Sequence, residues 1–252
     1  MSSNILVTGS SRGIGAAVAH ALADRGDRVA VHAGRDAAAA DQVRRELPGD
    51  GHVVIVGDLT DGQACRRVVA EAIQGLGGLD VLINNAGIFV EHSVLDTDFE
   101  QWSRLWRQTV ELNLFGPANL SWLMAEHLMS RPAGPRGGRL ISVGSRGAYR
   151  GEPSAPAYGA SKAGLHALTQ SLAVALAPHG IVAAAVAPGF TDTEMATPVL
   201  EGPRGPHVRG QSPFDRVASP SEVAATVTWL ATEAPEWISG SVIDLNGASY
   251  LR

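Results

Sequence analysis

Short apolar runs alternate with longer stretches of helical periodicity along nearly the whole chain. Seven runs rich in β-branched residues predict strands at 5–8, 28–32, 52–56, 79–84, 139–143, 181–186 and 242–245. None alternates strictly between apolar and polar, as expected for strands covered on both faces. Between them, helical spacing runs over 14–25, 37–47, 62–75, 98–129, 157–177 and 221–231. The last opens Ser219-Pro220-Ser221-Glu222, with proline at a favourable first helical position. This alternation predicts an α/β fold, a seven-stranded parallel sheet doubly wound by right-handed crossovers, with helices on both faces. Ligands of such sheets bind outside the carboxyl ends of the strands, so chemistry is expected just after each strand.

No repeat, low-complexity tract or linker divides the chain, which predicts one domain over 1–252. Two segments lack periodicity. Residues 130–138 form a turn-rich connection. Residues 190–216 carry Pro198, Pro203, Pro206 and Pro213 on the expected ligand side, and a loop of that length predicts a substrate lid. With 252 residues, 45% apolar and 18% charged, the chain can build a large core and is not disordered. No apolar run approaches the length of a membrane span. The net charge of −5 argues against a nucleic-acid partner and against an anionic membrane surface. The single cysteine, Cys65, excludes an intrachain disulfide, and no Cys or His spacing suits a metal. The amino terminus has no leader pattern, so the expected location is cytoplasmic. Lys and Arg total 20, yet Lys162 is the only lysine. That singles out a place where a planar guanidinium does not replace a compact ammonium.

After the first strand comes Thr8-Gly9-Ser10-Ser11-Arg12-Gly13-Ile14-Gly15. Glycines there let the backbone turn tightly and approach a pyrophosphate, which rests on a helix N-terminus. This loop resembles that of the short-chain dehydrogenase/reductase family. Other family marks follow in order: Asn84-Asn85-Ala86-Gly87, Asn113, Ser145, Tyr158-Gly159-Ala160-Ser161-Lys162, Pro188-Gly189 and Asn246-Gly247. The set is most similar to the branch of 3-oxoacyl-carrier-protein reductases and related ketone reductases. The resemblance implies a Rossmann-type oxidoreductase moving a hydride between nicotinamide and a ketone or secondary alcohol, a 3-oxoacyl thioester among the candidates. It implies cofactor contacts from Gly9, Ser11, Arg12, Gly13, Ile14 and Gly15 at the pyrophosphate. Asp58 would hold the adenine amino group, with Leu59 supplying backbone contact. Asn85, Ala86, Gly87, Tyr158, Lys162, Pro188, Gly189, Thr191 and Thr193 would line the nicotinamide half. Related sequences commonly carry an aliphatic residue where Thr191 stands, which puts the local packing in question.

Tyr158 and Lys162 are i and i+4 on one predicted helix, hence on one face. A free phenol is only about 0.1% ionised at neutral pH. An ammonium about 5 Å away offers roughly 3 kcal/mol at an effective dielectric of about 20, enough to lower the phenol's pKa if it outweighs burial. The expectation is that it does. Ser145, 13 residues before Tyr158, is expected by resemblance to bond the substrate oxygen, while Ser142 inside the strand is the structural competitor. Asn113 would hold a water linking Lys162 to solvent; its other reading is a capping residue in a kinked long helix.

An NAD site usually has an acid at the end of the second strand, and that position is Ala33. Arg12 and Arg35 flank it and suit a 2′-phosphate, which favours NADP over NAD. Asp36 reads as a helix cap. His92 and Tyr149 are candidate pocket residues, and Trp102 and Trp106 are core or subunit contacts. Arg136, Arg139, Arg146, Arg150, Arg204 and Arg209 read as solvated surface, with an acidic carrier domain as the alternative. By resemblance the 98–129 and 157–177 helices form a dimer interface, giving a homo-oligomer, dimer or tetramer. The rival function is a nucleotide-binding regulator without turnover, against which the full Asn113, Ser145, Tyr158, Lys162 set speaks.

Overall fold

The computed structural model describes residues 2–252. Seven strands run β1 (Asn4–Val7), β2 (Arg28–Ala33), β3 (Val53–Val56), β4 (Val81–Asn84), β5 (Arg139–Val143), β6 (Val182–Pro188) and β7 (Val242–Leu245). All pairings are parallel, in the order β3-β2-β1-β4-β5-β6-β7. Strand order reverses between β1 and β4, which opens a crevice at their carboxyl ends. The doubly wound α/β fold expected from the sequence is the observed one.

Side-chain parity explains the layers. Ile5 and Val7 of β1 point to one face, and Leu6 to the other. On the first face they meet Val18 and Leu22 of α1 (Gly13–Ala23) and Val223 and Val227 of α9 (Pro220–Thr232). Opposite lie Val68 and Ala72 of α3 (Gly62–Leu76) and Leu120 and Met124 of α5 (Gly116–Ser130). α2 (Ala37–Glu46) closes the first layer through Ala40 and Val43. Local signals set the ends. Asp36 caps α2 through the Ala39 amide, as its spacing predicts. At α9, Ser219 and Glu222 form a reciprocal capping box.

Three expectations are corrected. The predicted 98–129 helix is α4 (Phe99–Val110), a π turn over Glu111–Phe115, and then α5. Hydrophobic periodicity cannot reveal that turn, because Asn113 within it is held by a distant segment. Residues 190–216 are not an aperiodic loop. They contain α7 (Thr197–Leu200) and α8 (Gly205–Arg209), whose Leu200 and Val208 form a small core with Ala196. Two of the arginines assigned to solvated surface are also more deeply placed. Arg146 is buried, and Arg139 donates to the Leu230 and Ala234 carbonyls at the C-terminal end of α9, where a cation is favoured. No helix among the described residues is long and apolar enough to cross a membrane.

Candidate active site

The loop between β1 and α1 is held by neighbouring strands. The Thr8 hydroxyl accepts the amides of Asn85 and Ala86 at 2.9 and 3.0 Å. The Asn85 side chain donates back to the Thr8 and Gly9 carbonyls at 2.8 and 3.1 Å. The two loops beside the crevice are thereby locked together. Glycine is required within them. A Cβ on Gly9 would stand 2.9 Å from the Ala86 Cα, and one on Gly15 2.4 Å from the Gly9 carbonyl oxygen. Gly9 and Gly13 also have φ of +62° and +57°, where side-chain-bearing residues are strained. Arg12, at the N-cap of α1, makes no side-chain capping bond, and the first turn carries no acid. The uncapped N–H groups and positive dipole end suit an anion. Ser11 and Ile14 share this turn, and Ile14 also packs on the core. The methyl of Thr193 approaches within 3.4 Å of where a Cβ on Gly13 would lie, so the segment after β6 closes over the loop.

His32, at the end of β2, was missed by sequence reading. It is buried; its Nδ1 accepts the Gly9 amide at 3.0 Å, and its Nε2 lies 3.0 Å from the Gly57 carbonyl. Those partners require a neutral ring protonated on Nε2. Burial lowers its pKa, which keeps that state. Only the buried setting gives the signal, since its apolar neighbours in sequence read simply as strand.

Beyond the carboxyl ends of the first strands, Arg12 pairs with Glu194 at 3.2 Å and Arg35 with Asp58 at 3.1 Å, both arginines largely exposed. Asp58 is bound first by the Thr60 hydroxyl and amide, then by Arg35, and its carboxyl is held below the usual range. The Leu59 side chain belongs to the core, and its carbonyl oxygen accepts from the buried Cys65 thiol.

α6 (Pro156–Leu176) carries Tyr158 and Lys162 on one face. Its N-terminus is capped from outside: the Ala157 amide donates to His92 Nε2 at 3.2 Å, while the other ring nitrogen lies 2.7 Å from the Val90 carbonyl. His92 is thus a buried staple rather than a pocket residue. Phe89 packs edge-on against the Tyr158 ring at 5.1 Å. Lys162 is buried, and its ammonium donates to the Val143 carbonyl at 2.9 Å. A Cβ on Gly87 would lie 3.2 Å from Asn113 Oδ1 and 3.4 Å from Lys162 Nζ, so these three converge. Both ends of the Asn113 amide are engaged: Oδ1 accepts the Ile88 amide, and Nδ2 donates to the Ile88 carbonyl and the Ser161 hydroxyl.

Ser145 opens the 3-10 turn Arg146–Ala148, its hydroxyl accepting the Gly147 amide at 3.0 Å. Ser142 is buried in β5 and bonded by Thr169, a structural residue as its strand position suggests. After β6, Gly189 presses on Asn246 beyond β7, and buried Thr191 bridges to Ala218. Tyr149 is half-buried under the Arg252 guanidinium, 3.9 Å from its ring centroid.

The expected electrical priming of Tyr158 is corrected. Burial drives the phenol above its usual pKa; the Ser145 hydroxyl opposes this and Glu152 adds to it. The ammonium sits 5.8 Å from the ring centroid, turned toward Val143, and burial pushes its own pKa down to about 8. The two groups share one dry setting, so desolvation outweighs their coupling.

A glycine cradle at a strand-order reversal, with a Tyr–Lys pair across the crevice, defines a Rossmann-type nucleotide-binding architecture. Residues 3–204 match the family model for short chain dehydrogenase. The 3-oxoacyl-acyl-carrier-protein reductase of Vibrio cholerae is 33% identical over 246 residues, covering 98% of this chain and 96% of that protein. The cis-4-hydroxycyclohexanecarboxylate dehydrogenase of Sinomonas cyclohexanicum is 34% identical, covering 96% and 94%. A short chain dehydrogenase from Burkholderia cenocepacia, solved in complex with NADP, superposes with a TM-score of 0.86 at 33% identity, covering 98% and 97%. The chain belongs to the short-chain dehydrogenase family of oxidoreductases.

Proposed function

We propose that the protein is an NADP(H)-dependent reductase of ketones, or the reverse dehydrogenase of secondary alcohols, acting as one catalytic domain with 190–216 on its substrate side. The convergence of Tyr158, Lys162, Asn113 and Gly87 beside the glycine cradle carries this reading. The nicotinamide supplies the hydride. Tyr158 supplies the proton: a phenol held above its usual pKa keeps that proton until a carbonyl oxygen gains negative charge. Ser145 orients the same oxygen through its hydroxyl. Lys162 spends one N–H on Val143 and has two others to give to ribose hydroxyls. Asn113 fixes the Ile88 backbone and the Ser161 hydroxyl behind them.

NADP is favoured over NAD by Arg12 and Arg35 and by Ala33 at the acid position. The relative solved in complex with NADP points the same way. Beside a 3-oxoacyl thioester, a cyclic hydroxy acid, as in the name of the Sinomonas relative, is a substrate type to consider. Exposed Phe115 and Trp122 near α5 and Val174 on α6 support a homo-oligomer through that face. A regulator without turnover would need neither the phenol nor the buried ammonium.

Tyr158→Phe tests the assignment. Turnover of accepted carbonyls with NADPH falls by about 10³ or more while NADPH affinity stays within about threefold. Turnover near that of the parent protein would overturn it.

A further inference from the structure

Immediately after Ser145 stands an arginine in an unusual setting. Arg146 is 4% exposed, and its hydrogen-bond partners are both neutral, the Ser249 hydroxyl and the Gln211 side-chain carbonyl. The same Gln211 oxygen also accepts from Arg150 at 3.1 Å. Two guanidiniums thus converge on one amide oxygen. Among the described residues, no ion pair within 4 Å involves either of them. The nearby acid, Glu152, packs against Gly147 and makes no such pair, and burial holds its carboxyl above the usual range. Arg216, by contrast, is matched bidentately by Glu222.

A buried cation whose directly bonded partners are all neutral, with Glu152 acting on it only at longer range, is costly, and proteins pair such groups with anions. Arg146 also faces a cavity of about 160 Å³, whose walls include Phe190, Val208, Phe214 and Leu245. The guanidinium lies 5.4 Å from the Phe190 ring centroid. Phe190 follows Gly189, and Arg146 follows Ser145, so the cavity is bounded by the two segments expected to flank the reacting carbonyl.

We infer that Arg146 and Arg150 form a carboxylate subsite, and that the substrate is an oxo acid or hydroxy acid with a compact apolar skeleton. This rests on the reductase reading above and deepens it. Planar guanidiniums match carboxylate oxygens bidentately, and the Gln211 oxygen on which both converge marks the point such an oxygen would take. A neutral thioester brings the pair no directly bonded anion, so the subsite discriminates against it.

The test compares 4-oxocyclohexanecarboxylate with its methyl ester, both assayed with NADPH. The acid is expected to exceed the ester in kcat/KM by about tenfold or more, as for a charge-assisted contact. Arg146→Met brings that ratio to about one. Gln211→Glu offers the arginines an internal carboxylate, so it also collapses the ratio while the fold is retained. Calorimetric titration of the acid into the protein–NADP⁺ complex reads the subsite without turnover: binding is expected in the parent protein and about tenfold weaker in Gln211→Glu. Equal kcat/KM for acid and ester, or binding indifferent to Gln211→Glu, overturns the subsite and leaves the reductase reading intact. Binding of the acid with neither compound reduced supports the subsite and counts against the reductase reading.

Discussion

Replacing Lys162 by methionine separates what the ammonium does for chemistry from what it costs the fold. Burial lowers its pKa from 10.5 to about 8. That difference corresponds to about 3 kcal/mol of destabilisation at pH 7, where the unfolded chain holds the proton without penalty. Methionine removes the charge at similar length but forfeits the bond to the Val143 carbonyl, a loss of about 1–2 kcal/mol. The variant is therefore expected to be more stable than the parent by about 1–2 kcal/mol at pH 7, a rise in Tm of about 3–6 °C for a chain of this size. As pH rises through about 8 toward 10.5, the folded lysine is neutral while the unfolded one still binds its proton, so the parent gains stability. The difference should shrink and then reverse near pH 10. Denaturant unfolding of both proteins from pH 7 to 10 measures it directly. Ketone reduction should fall by about 10² or more in the same variant, a gain in stability at the expense of activity. A variant less stable at every pH, or a difference that does not change with pH, would refute the reasoning.

Other outcomes follow from the same geometry. His166 is buried with both ring nitrogens unpartnered, and burial, the largest cause, helps push its pKa down to about 4. Between about pH 6.5 and 4 the unfolded state gains a proton that the folded ring refuses, so the parent loses up to about 3 kcal/mol on acidification. His166→Leu should lose correspondingly less, as read by unfolding at pH 7 and 4.5; an equal loss contradicts the burial argument. In Gly15→Ala a Cβ would stand 2.5 Å from Asn85 Nδ2 and closer still to the Gly9 carbonyl, so NADPH affinity should fall about tenfold or more by fluorescence titration. Unchanged affinity would remove the loop from the cofactor site. Arg35→Ala should raise KM for NADPH about tenfold and KM for NADH by less than about threefold; equal effects would withdraw the 2′-phosphate role.

Much of this molecule is legible locally. Runs such as Ile5-Leu6-Val7 and Ala183-Ala184-Ala185-Val186 read as doubly covered strands because their pattern reports burial on both faces. The glycine loop and the Tyr158–Lys162 spacing are visible because tight turns and helix faces are short-range geometry. What escaped depends on contacts across the chain. The π turn at Asn113 is tied to Ile88, His92 caps α6 from another segment, and His32 holds Gly9 only after β1 and β2 have paired. Arg146 looks like one of many surface arginines until Gln211 and Ser249, 65 and 103 residues away, enclose it. The effect of burial on Tyr158 escapes the sequence for the same reason. A helix face gives the distance between two groups but not how dry their surroundings are.

Hydride transfer itself can be followed by label. NADPH carrying deuterium at one face of nicotinamide C4 is incubated with the protein and an accepted ketone, and the product alcohol is analysed by mass spectrometry. One of the two labelled faces should deliver a single deuterium to the carbinol carbon, and Tyr158→Phe should suppress that transfer. An alcohol without label from either face, or undiminished transfer in Tyr158→Phe, would contradict a Tyr158-centred reductase.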